Sequence, residues 1–176
     1  MRRVLTLLTV CVALAAALVA SGCGDKTVTT TDSSGQASTR TVPNVHLAKT
    51  KFLLHTGLAF GSIKRWIITP YTEGAFKPGA PGRKKALAKA AASGTFAVNE
   101  LRLARKAALS DDKLRSLADQ LGSLTDQASA LLPSLASGTL NPASLIGLGG
   151  SLAGLAALAK QAGVPITDQL PPGLGG

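Results

Sequence analysis

A chain of 176 residues gives about one domain at the usual 100–200 residues each, which excludes a large multidomain enzyme. Only 3% of the residues are aromatic and 16% are charged, against roughly 25% charged in ordinary soluble domains, yet the formal charge is +10. Any core must therefore be built from Leu, Ala and Ile, with 19 Gly and 9 Pro marking breaks between elements.

Arg2 and Arg3 precede the uncharged run Val4–Ala20, which is followed by Ser21, Gly22 and Cys23. A basic start, an apolar stretch and small residues at its end make a secretory signal. As a retained anchor the run would stand at the short edge of the roughly 17–25 residues that span a bilayer. The end of the run, Ala20-Ser21-Gly22-Cys23, resembles the lipobox of bacterial lipoproteins, a resemblance that covers residues 1–24. It implies removal of residues 1–22 by signal peptidase II and a diacylglyceryl group on the Cys23 thiol, its acyl chains of the palmitate type. Two acyl chains hold a protein stably where one binds only reversibly, so the resemblance places the mature chain at the outer, extracytoplasmic face of a cell membrane. With Cys11 leaving in the signal and Cys23 lipidated, the mature chain has no thiol left for disulfides, thiolate catalysis or Cys-based zinc.

Gly24–Val45 is rich in Ser and Thr, and its four charges cancel. With so little apolar area it is expected to be a disordered tether, which sets boundaries at 1–22, 23–45, 46–137 and 138–176. Beyond the tether the cations cluster. Lys49, Lys51, Lys64, Arg65 and Lys77 face only Glu73, and Arg83, Lys84, Lys85, Lys89, Arg102, Arg105 and Lys106 face only Glu100. A basic middle tethered to a membrane suits anionic lipid headgroups or an anionic wall polymer, with Lys64, Arg65, Arg83, Lys84, Lys85 and Lys89 as candidate contacts. Nucleic acid is set aside, since no recognition module is present and an exported chain seldom meets it.

Residues 46–69 read as one helix ended by Pro70. Phe52, Thr56, Ala59, Ile63 and Ile67 form one stripe on it, and Leu54, Gly57, Gly61 and Ile68 another. Apolar on two sides, it is either a central core helix or an interfacial one, with Trp66 at its end. A Pro- and Gly-rich loop over 69–82 leads to a second helix, 83–109, expected to return as an antiparallel hairpin with Gly57 and Gly61 against Ala90 and Gly94. Leu114, Leu117, Leu121, Leu124, Ala128, Leu131 and Leu135 step by three and four, with Ser110 as the expected N-cap. This stripe packs in a small bundle or, through Leu114, Leu117, Leu121, Leu124 and Leu131, forms a seam with a partner or a second copy. Ala143–Ala159 has no charge and reads as a capping helix, with membrane insertion as the alternative; the tail from Val164 reads as irregular.

Chemistry has few candidates. His46 and His55 lie nine residues apart, about 180° around a helix, and cannot share a metal there. No nucleophile elbow, metalloprotease pair or phosphate loop occurs. A hydrolytic carboxylate pair would require Glu73 and Glu100 to meet. No catalytic residue, cofactor or metal is therefore assigned.

The sequence thus predicts an all-α chain: an antiparallel hairpin plus a Leu-striped third helix in a small bundle, with a disordered tether and a Gly/Ala/Leu-rich carboxyl segment. The expected role is non-enzymatic, a lipid-anchored envelope protein with its basic face toward anionic lipid or wall polymer. The alternatives are a helical partner-binding subunit of a membrane complex and an envelope hydrolase.

Overall fold

A computed structural model describes residues 25–31 and 34–169; the signal run, Cys23 and the last seven residues lie outside the described residues. Two compact units divide between Asn44 and Val45.

In the first unit, β1 (Asp25–Thr31) and β2 (Ala37–Pro43) pair antiparallel, Asp25 opposite Pro43 and Thr31 opposite Ala37. The segment expected to be a disordered tether thus holds a two-stranded ribbon. Its Thr and Val residues are polar or small but β-branched, and stiff side chains of this kind favour extended backbone. The Thr29 and Thr39 hydroxyls meet at 3.2 Å, and Gly35 takes a φ of 80° in the connection.

The second unit is helical, as the apolar periodicity predicts. Helix α1 (Ala48–Ile63) runs into a π turn (Lys64–Ile68) and a last α-helical turn (Thr69–Thr72). The sequence reading stops this helix at Thr69, before Pro70, yet it continues to Thr72. The Thr69 N–H reaches back five residues to the Lys64 carbonyl, so the chain is wider where the Pro70 ring would otherwise strike the Trp66 carbonyl. Phe52, Thr56, Ala59, Ile63 and Ile67 are all buried, as one stripe. The buried Thr56 hydroxyl is satisfied by donating to the Phe52 carbonyl at 2.6 Å.

Helix α2 (Arg83–Leu109) returns antiparallel to α1 and is the central helix, packed between α1 and α3 (Ala118–Ser137). Its buried positions include Ala90, Ser93, Gly94, Ala97, Ala104, Ala107 and Ala108. Small side chains on both faces let two neighbouring helices approach closely, so α2, not α1, is the helix clad by helices on two sides. The Gly57/Gly61 notch of α1 does not receive α2. Gly94 instead faces Leu132, Leu135 and Ile67.

Ser110 does not cap the third helix. It ends α2, its hydroxyl donating to the Lys106 carbonyl at 2.9 Å, while the Asp111 carboxylate accepts the Lys113 N–H at 2.9 Å. This local turn and a 3₁₀ turn (Arg115–Leu117) delay α3 to Ala118. Leu114, Leu117, Leu121, Leu124, Ala128, Leu131 and Leu135 are buried, so the proposed partner seam is occupied by the chain's own core. Helix α4 (Pro142–Gln161) is capped by Asn141, whose side chain accepts the Ala143 N–H at 2.9 Å. It lays Leu145, Leu148, Leu152, Leu155 and Ala159 on the bundle and leaves Ile146 71% exposed.

The tail is ordered through Gln169. Its Gln169 N–H donates to the Gly57 carbonyl at 2.9 Å, and the backbone of Thr167 and Gln169 lies where side chains at Gly57 and Gly61 would stand. The notch predicted from the Gly-xxx-Gly spacing exists, and the irregular tail segment fills it in place of a helix.

Candidate functional site

The six candidate cations separate into three groups. Lys64 is taken by the tail, its Nζ 2.7 Å from the Asp168 carboxylate; that hydrogen bond, with the attraction of the charge, holds its pKa above the ordinary 10.5. Arg83 is a structural clamp, Nε donating to the Phe76 carbonyl at 2.9 Å and Nη2 to the Gly138 carbonyl at 2.8 Å. The remaining group stands at the loop end of the α1–α2 hairpin. There Arg65 and Lys89 lie 5.3 and 4.5 Å from the centroid of the Trp66 indole, within cation–π range, and Lys85 lines the same corner. Lys84 is exposed beside it in sequence.

The corner contains a cleft of about 270 Å³ lined by Trp66, Pro70, Glu73, Gly82, Lys85 and Lys89, with small apolar residues between them. The π turn carries Trp66 and Arg65, and the first two turns of α2 carry Lys85 and Lys89. Trp66 Nε1 is buried and has no hydrogen-bond partner among the described residues. The Gly82 N-cap supplies no side-chain acceptor to the first turn of α2. Trp66, read from the sequence as the end of a core or interfacial helix, and Glu73, counted there only as a charge, both line this cleft.

At the other end of the same hairpin, His55 Nδ1 lies 2.7 Å from Glu100 Oε2, with side-chain exposures of 21% and 9%. His55 is thus a hydrogen-bonded imidazole within the fold. Glu73 and Glu100 do not form a pair: Glu100 lies eleven residues beyond Lys89 on α2, about 16 Å along its axis. Among the described residues no group of three His, Cys, Asp or Glu could hold a metal.

A second, larger groove of about 560 Å³ is lined by Arg102, Arg105, Asp119 and Asp126, whose charges balance. Arg105 Nε there donates to the Ala118 carbonyl at 3.2 Å, tying α2 to the start of α3.

No family model, curated protein or solved structure matches the chain.

Proposed function

We propose that the chain is a lipid-anchored envelope protein with no catalytic role, held through Cys23 at the extracytoplasmic face of a membrane. Its basic corner around Trp66 contacts anionic lipid headgroups or an anionic wall polymer. The observation that carries this reading is the gathering of Arg65, Lys85 and Lys89 at one indole, at the end of a helical hairpin, with Lys84 exposed beside them. Cations over an indole favour the zone between water and lipid, where an aromatic body and a polar edge are both accommodated.

Co-sedimentation of lipid-free Gly24–Gly176 with neutral and anionic vesicles tests the surface contact. Binding to anionic vesicles alone, lost at high salt and weakened by Lys84→Gln with Lys85→Gln, is the expected result. Salt-resistant binding to both vesicle types would replace it with insertion of an apolar segment. The anchor has its own test: Cys23→Ala abolishes labelling by a fatty-acid probe, and persistent labelling would refute lipidation at that residue.

A second reading, a partner-binding subunit of a membrane complex, is favoured by α4. Among the described residues it is the one helix long and apolar enough to cross a bilayer, and its outer side bears exposed Ile146 and the uncovered Gly147, Gly150 and Gly154. Crosslinking from Ile146→Cys to a single protein of the membrane fraction, with the anionic-vesicle arm negative, would put this reading first.

A further inference from the structure

We propose that the outer face of α4 is the seat of a second copy of this chain, the two helices crossing antiparallel about a two-fold axis at Gly150. This rests on the second reading above, partner binding through α4, and names the partner.

The glycines of α4 differ from those of the other helices. A Cβ added at Gly57, Gly61, Gly94 or Gly122 would meet atoms of the chain itself, so the fold accounts for each. At Gly147, Gly149, Gly150 and Gly154 it would meet nothing within 4 Å. Each weakens its helix relative to Ala, and within one copy no close approach offsets that loss. What such residues permit is the near approach of another helix backbone.

The face is also its own complement. α4 buries Leu145, Leu148, Leu152, Leu155 and Ala159, and at 100° per residue Gly150 stands opposite that stripe. Ile146, 71% exposed, and Gly154 lie one turn to either side of Gly150 on a single i, i+4 row. Aligning that row with its copy crosses the helices at about 40–50°. Antiparallel pairing about Gly150 joins positions whose numbers sum to 300: Ile146 with Gly154, Gly147 with Ala153 and Ala143 with Ala157. The most exposed large side chain of α4 then falls where the second copy has no Cβ, the self-complementarity that an isologous interface requires.

Charge selects the orientation. In a chain of net charge +10, no Asp, Glu, Lys or Arg occurs from Gln127 to Ala159, so α4 brings no cation to the contact before Lys160. A parallel pair would set Lys160 against its own copy. The antiparallel pair holds the two lysines twenty residues apart, about 30 Å along the axis, and opposes the helix dipoles. One helix against one helix is a small interface, weak in dilute solution and strengthened where both copies are confined to one membrane surface.

Photo-crosslinking from the face tests this. Full-length protein carrying Ile146→benzoylphenylalanine is co-expressed with an epitope-tagged parent copy, irradiated in the cells, and the adduct mapped by mass spectrometry. The expected adduct joins the two copies, from position 146 of one to residues within about one turn of Gly154 of the other. Gly150→Leu in both copies lowers its yield at least about tenfold, and Gly150→Ala at least about threefold. Neither purified variant unfolds at a lower Tm, because a Cβ at Gly150 meets nothing in the single copy and Ala favours the helix. An adduct between position 146 of both copies would mean a parallel pair, and a yield unchanged by both Gly150 variants would place the contact elsewhere; either overturns the proposal. An adduct with a different protein alone overturns it while leaving the partner-binding reading standing. No adduct at all overturns both.

Discussion

His55 and Glu100 face each other across the α1–α2 hairpin, Nδ1 to Oε2 at 2.7 Å, in the same register that brings Trp66 to Lys89. Both pairs have residue numbers summing to 155, so the two contacts, eleven residues apart on each helix, fix one antiparallel alignment. Glu100 is 7% exposed and His55 is its hydrogen-bond partner. Replacing His55 with Ala leaves a buried carboxylate without that partner and is expected to cost about 1.5–3 kcal/mol in urea unfolding at neutral pH. The double variant with Glu100→Leu recovers most of the loss, because it removes the orphaned charge; a loss that simply adds would show that the pair does not interact.

Gly61 carries a prediction whose sign depends on the tail. A Cβ there would collide with the Gln169 backbone, which cannot yield as a side-chain end can. In the full chain Gly61→Ala should lower stability and raise amide exchange over 164–169. In a chain ending at Gly163 the same substitution meets no tail and should stabilise α1 by about 0.5–1 kcal/mol, the helical preference of Ala over Gly. The same sign in both backgrounds would mean that the tail does not occupy the notch.

Lys64 and Asp168 make the tail contact sensitive to alkali. The Lys64 pKa is raised in the folded chain by its hydrogen bond to Asp168 and by the carboxylate charge. The contribution is therefore complete below the ordinary value of 10.5 and is lost as pH rises through the higher folded value. Amide exchange of Gln169, corrected for its intrinsic pH dependence, should show reduced protection above that range, and Lys64→Met should remove the step. An unchanged step in Lys64→Met would assign the loss to another group.

Arg83 and Lys85 separate structure from contact. Arg83→Ala removes the donors to the carbonyls of Phe76, in the α1–α2 loop, and of Gly138, at the end of α3, and should cost about 1–3 kcal/mol in stability. Lys85→Ala, at an exposed position, should leave unfolding within about 0.5 kcal/mol of the parent and weaken anionic-vesicle binding. The reverse pattern would move the contact surface to Arg83.

Leu47 is the one non-glycine residue with positive φ among the described residues, at 55°, and is 73% exposed. A branched side chain in the left-handed region costs about 1–2 kcal/mol, so Leu47→Gly should raise the Tm. A fall would show that the Leu47 side chain contributes a contact that outweighs the strain.

What the sequence reveals and what it conceals divide by range. The stripe Phe52, Thr56, Ala59, Ile63, Ile67 and the leucine ladder from Leu114 to Leu135 are local periodicities, and each is buried as read. The partner of each face is a long-range matter. Placing Gly57 and Gly61 against Gly94 and Ala90 implies pairs summing to 151, four residues from the observed register, about one helical turn. Val164–Gln169 has no periodicity to announce it, so its seat on α1 is invisible in the chain. The ribbon over 25–43 was hidden by counting Thr as polar when its branching at Cβ is what matters there. In the site, the lysines are legible as charge, but only the fold separates Lys64 and Arg83, used by the structure, from Arg65, Lys85 and Lys89, gathered at Trp66.

The π turn at Lys64–Ile68 is, in helical phase, one residue more than an α-helix accommodates. One residue is worth about 100° of rotation, so everything after Ile63 is turned relative to a straight continuation. Deleting a single residue between Lys64 and Ile68 would restore uninterrupted α geometry and swing Pro70, Tyr71 and Glu73 about the axis, dismantling the corner while shortening the chain by one position. In that sense the cleft is encoded as a frame: its side chains converge because the helix before them is one count out of step.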